Sequence, residues 1–152
     1  MSTYINPIKP KQHGDYGDCP PLVVEFLNYS ETIRGLSPRS VNGYYIDLRT
    51  FFKFLVWHRG LLAKELSPQE ADIRFVDLAF IQKIDKAEVY EFLYYATRER
   101  ENAATTRARK LSSLNGFFKY LLNKTGQLQR NPAEDIETPK QKKSLPKFLS
   151  LE

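Results

Sequence analysis

The sequence predicts an all-helical domain of four or five helices packed as a bundle. Three observations carry that expectation. Apolar residues recur at three- and four-residue spacing through the body of the chain, the period of a helix with one buried face. Runs that alternate apolar and polar residues, as a half-buried strand would, are absent. Helix punctuation separates the periodic stretches, with Ser37-Pro38 and Asp85 ahead of them and Gly35, Gly60 and Gly126 behind. With 152 residues, 41% hydrophobic and 13% aromatic, the chain can build one real core.

The first helix opens at Pro20-Pro21, because proline is tolerated in a first turn. Leu22, Phe26, Tyr29 and Ile33 form its apolar face, and Gly35 stops it. The second helix takes Ser37 as N-cap and Pro38 as its first residue. Val41, Tyr44, Tyr45, Leu48, Phe52, Leu55 and Val56 give it a long apolar stripe, and Gly60 ends it. Residues 61–84 read as a connection with a brief helix at 77–82. The third helix begins at Asp85, with Glu88 placed to close a capping box, and buries Val89, Phe92, Leu93 and Ala96. The fourth runs from near Asn102 to Lys124, with Leu111, Leu114, Phe118, Leu121 and Leu122 inward and Gly126 just past its end. Asn131-Pro132-Ala133 then opens a short turn or helix. This body spans residues 20–139. Residues 1–19 read as a flexible tail, and 140–152, with Lys140, Lys142, Lys143 and Lys147, as a basic linker.

Composition narrows the function. A net charge of +5 and a pI near 9.3 lean towards nucleic acid. The single cysteine, Cys19, excludes an internal disulfide and a cysteine-based metal cluster, and His13 and His58 leave little for any other metal site. No nucleophile–base arrangement or phosphate-binding glycine loop is present, so no catalytic residue, metal or cofactor is assigned. No stretch approaches the roughly 18 apolar residues of a membrane span, and the start has no apolar signal core. A cytoplasmic protein without membrane contact is expected.

The outer helix faces are more informative. On a wheel of about 100° per residue, the second helix turns Arg39, Asn42, Gly43, Ile46, Thr50 and Lys53 away from its core stripe. The fourth turns out Thr105, Thr106, Arg109, Ser112, Ser113, Gly116 and Tyr120. Acidic residues are missing from both sets; Asp47 sits beside the first, and Glu99 and Glu101 precede the second. Gly43 and Gly116 fall inside helices, where glycine costs about 1 kcal/mol relative to alanine. Facing outward, both fit close backbone approach to something outside the domain.

DNA matches such a surface. The major groove admits a helix, Arg reaches guanine, Asn pairs with adenine, and hydroxyls bond bases or phosphates. First-turn N–H groups at Arg39-Ser40 and Thr105-Thr106 suit phosphate, and Lys53, Lys110 and Lys119 add counterion release. Taken singly, each Arg or Lys reads as a solvated charge; two acid-free faces together make the contact surface. Arg107 lies nearer the core side and either reaches out at the helix mouth or pairs with a carboxylate such as Glu99. Ile46 either meets a thymine methyl or packs on another protein chain.

The string GLSPRSVNGYYIDLRTFFKFL resembles the N-terminal signature of tyrosine recombinases of the Xer and phage-integrase type. TTRARKLSSLNGFFKYL, followed by NPAEDIETPK and KSLPKFLS, resembles the end of the same domain and its exit linker. The resemblance implies a SAM-like, orthogonal four- to five-helix core-binding domain, which in that family forms half of a clamp around double-stranded DNA. Carried onto this chain, Arg39, Ser40, Asn42 and Gly43 match the contact positions of the second helix, and Thr105, Thr106, Arg109 and Ser113 those of the fourth. Ser40 lies to one side of the wheel face, so its contact depends on its first-turn position. The family's tyrosine nucleophile and His-x-x-Arg signature belong to a C-terminal catalytic domain. Here His58 is followed by Arg59, Gly60 and Leu61, and the chain reads as stopping where that domain begins. Other recombinase protomers are implied partners on DNA. The competing expectation is a helical protein-interaction module, with Phe148-Leu149 as a docking point.

Overall fold

The computed structural model describes residues 16–100 and 104–137. Helices α1 (Pro21–Thr32), α2 (Pro38–His58), α3 (Leu78–Gln82), α4 (Lys86–Arg100) and α5 (Ala104–Lys119) follow in order, with one 3₁₀ turn at Pro68–Glu70. No strand occurs among the described residues. The expected all-helical bundle is what the chain forms: α3 is the brief helix of the connection, and α4 and α5 are the third and fourth long helices.

Local chemistry explains the starts. Ser37 Oγ accepts the Ser40 N–H at 3.1 Å, with Pro38 behind it in the first turn. The Asp77 side chain accepts the Phe80 N–H at 3.0 Å and starts α3. At α4, Asp85 Oδ1 accepts the Glu88 N–H at 2.9 Å, and Glu88 Oε1 accepts the Asp85 N–H at 3.4 Å, which completes the capping box. Gly60, at φ +76°, takes the left-handed turn that ends α2. Past α5 the coil widens into a π-helical turn at Tyr120–Lys124, where the Thr125 N–H reaches back to the Tyr120 carbonyl at 3.1 Å.

α2 is the central element and packs against α1, α4 and α5. Its Val41, Leu48, Phe51, Phe52, Leu55 and Val56 are buried. Phe51 meets Phe52 and Phe92 edge-on at 5.2 and 5.1 Å, while Phe117 meets Phe26 and Phe52 at 5.5 and 6.0 Å. Edge-on aromatic pairs favour this arrangement beyond the area they bury. Arg59, at the end of α2, donates from Nε and Nη2 to Glu88 at 2.8 and 2.9 Å and lies 4.1 Å over the Phe80 ring. That group fastens α2 to α3 and the start of α4. Asn131 is buried; its Oδ1 accepts the Ala133 N–H and its Nδ2 donates to Asn115 Oδ1, both at 2.8 Å. The last described turn is thereby pinned to α5.

Two expectations change. α1 buries Val23, Phe26, Leu27 and Ser30, whereas Tyr29 is half-buried and Ile33 is 70% exposed. Both sets satisfy helical spacing, and contact with α2 selects the first. The packed body also begins earlier than residue 20. Tyr16 and Cys19 are buried, and the Tyr16 ring lies 5.1 Å from that of Tyr45. Asp18 accepts the Tyr45 hydroxyl at 3.0 Å and Arg49 Nε at 2.7 Å. Residues 1–15 of the expected tail and the expected linker at 140–152 lie outside the described residues.

Burial pushes the Asp18 carboxyl up, but the hydrogen bonds from Arg49 and Tyr45 and the Arg49 charge together hold it below its ordinary value. Burial, then the bond to Asp18, pushes the Tyr45 phenol up to about 12. A depressed carboxylate contributes stability above its unfolded value of 3.8 and loses it as pH falls through the lower folded value. Asp18→Asn is therefore expected to lower the melting temperature at pH 7, by an amount that shrinks as pH falls below 3.8. Thermal melts of both chains across a pH series from 7 downward check this.

Candidate nucleic-acid interface

The composition of α2 and α5 is lopsided. α2 carries three Lys and Arg and α5 carries four, while Asp47 is the one acid in either helix. Asp47 is fully buried. No carboxylate from these two helices therefore reaches solvent. By contrast, an open cleft of about 770 Å³ beyond the C-terminal end of α2 mixes both signs, with Asp77, Asp85, Glu88 and Glu91 beside Arg59 and Lys83.

Asp47 draws α5 onto α2. Its Oδ1 accepts Arg109 Nη2 at 2.6 Å and Lys110 Nζ at 3.4 Å; its Oδ2 accepts Ser113 Oγ at 2.7 Å and Arg109 Nε at 3.2 Å. Several charge-assisted bonds converge on one desolvated carboxylate, the condition under which burying it is tolerable. The wheel had placed Asp47 only beside the outer stripe. The missed signal was an acid next to Leu48 in the apolar stripe, alone on two basic helices.

The expected contact residues divide into two groups. Arg39, Ser40, Asn42, Thr105 and Arg109 are exposed, and Gly43 and Thr106 are partly so. Lys110 and Ser113 are corrected: both are buried and turned towards Asp47 rather than outward. α5 is covered on two sides, so residues 110, 111, 113, 114, 117 and 118 are all buried, more than one stripe. Lys53 donates to the Gln69 carbonyl at 2.8 Å, which ties it to the 3₁₀ turn. Burial, with the Arg49 charge beside it, lowers its ammonium below the ordinary lysine value. Arg107 is half-buried, and Ile46 remains 44% exposed.

The two glycines also part company. A Cβ on Gly43 would meet nothing within 4 Å. One on Gly116 would meet Tyr44 Oη at 3.6 Å and Phe26 Cζ at 3.7 Å. Gly116 therefore faces the packing with α1 and α2, not the exterior. Tyr120 is likewise turned inward, with its ring 4.8 Å from Tyr29 and 5.4 Å from Phe26. Among the described residues no group of three or more His, Cys, Asp or Glu side chains is placed to hold a metal ion, and no helix is long and apolar enough to cross a membrane.

The fold defines a class, the small all-α bundles, here with two basic helices locked at a buried acid. Comparison with known proteins narrows it. Residues 72–125 match the family described as phage integrase, N-terminal SAM-like domain. The chain is 38% identical over 133 residues to tyrosine recombinase XerC of Caldanaerobacter subterraneus, covering 88% of this chain and 38% of that protein. It is 34% identical over 132 residues to XerD of Shewanella oneidensis and 33% identical over 132 residues to XerC of Myxococcus xanthus, in each case 87% of this chain and 37% of the relative. Over residues 72–125 the chain carries the phage-integrase N-terminal SAM-like domain, and 88% of its length aligns with a protein named as a tyrosine recombinase. It spans under two-fifths of the length of these relatives. No solved structure matches it significantly.

Asp47→Ala leaves the buried Lys110 ammonium without this carboxylate and is expected to destabilise the domain by about 3–5 kcal/mol. Gly43→Ala meets open space in a helix interior and is expected to stabilise it by about 1 kcal/mol. Urea denaturation of the two variants measures both.

Proposed function

We propose that this domain holds double-stranded DNA within a site-specific recombinase, through the exposed faces of α2 and α5. The observation that carries the reading is the charge pattern: seven Lys and Arg on the two helices, and their one acid buried and bonded. Arg39, Ser40, Asn42 and Gly43 line the first turns of α2, and Thr105, Thr106 and Arg109 those of α5. They supply donors for phosphate and for base edges, with no exposed acid beside them on either helix. Lys53 adds positive charge from the far end of α2. Lys110 and Ser113 act from behind the surface, through Asp47. Cutting and rejoining of strands is assigned, by the family resemblance, to a separate catalytic domain. Other recombinase protomers are the expected company on DNA.

A second reading is contact with other protein chains, for which Ile33, Leu61, Phe75 and Tyr94 are exposed apolar side chains on separate segments. Gel filtration without DNA separates the two, since a stable oligomer favours the second. For the first, anisotropy with a labelled duplex is expected to show affinity falling with salt at a log–log slope of roughly −0.9 per phosphate contact. Arg39→Ala is expected to weaken all duplexes and to reduce that slope by about 1. NMR shifts confined to α1 on titration with a duplex would overturn the proposal.

A further inference from the structure

We infer that Asp47 is a positioning residue for DNA readout: its buried carboxylate holds the Arg109 guanidinium in one orientation, so that the outward edge of that group meets DNA already ordered. The inference rests on the DNA-holding role above and deepens it.

The geometry is specific. Arg109 approaches Asp47 through Nη2 at 2.6 Å and Nε at 3.2 Å, a two-point pairing that fixes the guanidinium plane. This pairing uses one edge of the group, and Nη1 takes no part in it. The Arg109 side chain is still 55% exposed despite this pairing. The anchor is firm because the Asp47 side chain is only 1% exposed and is itself held by Ser113 Oγ at 2.7 Å.

An ordinary surface pair has neither property, since both partners are solvated and free to move. Nor does this pairing cancel the charge that α5 presents. α5 carries four Lys and Arg, and one carboxylate faces two of them, Arg109 and Lys110. A guanidinium ordered during folding loses little freedom on binding. Its fixed fork also distinguishes a base edge with two acceptors from the alternatives.

The test uses the full chain and two labelled duplexes. One is selected from a randomised library by the wild-type protein; the other is scrambled at the same composition. Asp47→Asn keeps the side-chain volume and removes the charge. It is expected to reduce the preference for the selected duplex about tenfold, the scale of one two-point base contact. Scrambled-duplex affinity is expected to hold or rise slightly, because a negative charge is removed, and its salt slope to hold. In an Arg109→Ala background the same substitution is expected to change the preference no further. If Asp47→Asn does not fold by circular dichroism, Ser113→Ala takes its place, with an expected drop of about threefold and the same dependence on Arg109.

Asp47→Asn with wild-type preference, beside a defective Arg109→Ala, overturns the positioning role alone. An equal loss with and without Arg109 assigns Asp47 to folding and overturns it too. Arg109→Ala with full preference overturns the reading of α5 as a DNA face, and this inference with it.

Discussion

The buried carboxylate of Asp47 is the constraint around which α2 and α5 are arranged. An acid taken out of water must be met by donors, or the domain is strongly destabilised. The donors here all come from α5: Arg109, Lys110 and Ser113. Aromatic packing alone would let the two helices slide, because apolar contact is non-directional. Four hydrogen bonds from three side chains fix how far one helix sits along the other. The same contact removes the only negative charge from their surfaces. One residue thus links the packing of the domain to the sign of its exterior.

Much of the fold was legible because it rests on local rules. Ser37 and Asp85 accept the expected N–H groups, and the apolar stripes of α2, α4 and α5 are mostly buried where helical spacing put them, with Tyr44 and Leu122 only partly so. Helical period constrains the pattern but leaves a choice of phase in a short helix. That is why the buried face of α1 came out as Val23, Phe26, Leu27 and Ser30 instead of the stripe ending at Ile33. Tyr16 and Cys19 lie in a short stretch with no period at all. Their burial depends on partners far along the chain, such as Tyr45 at 27 residues from Asp18.

The candidate site was legible at its exposed rim and not beneath it. Arg39, Asn42 and Thr105 needed only a wheel. Lys110 and Ser113 are polar, so composition argued for solvent, and only the position of Asp47 on another helix reverses that. Gly116 shows the same limit, since a small residue on a helix reads alike whether its neighbour is a ligand or Tyr44. A single-helix projection has no term for a side chain contributed by a second helix.

The π-helical turn at Tyr120–Lys124 bears on how this helix tolerates change in length. A turn closed by a bond from residue 125 to residue 120 holds one residue more than an α-turn needs. Loss of one residue there converts the turn to ordinary α-helix and leaves everything before Lys119 in place. The same loss ahead of Lys119 would rotate Arg109, Lys110 and Ser113 by about 100° relative to the residues packed beyond them and carry them off Asp47. The end of the helix can absorb a deletion, and the segment that meets α2 cannot.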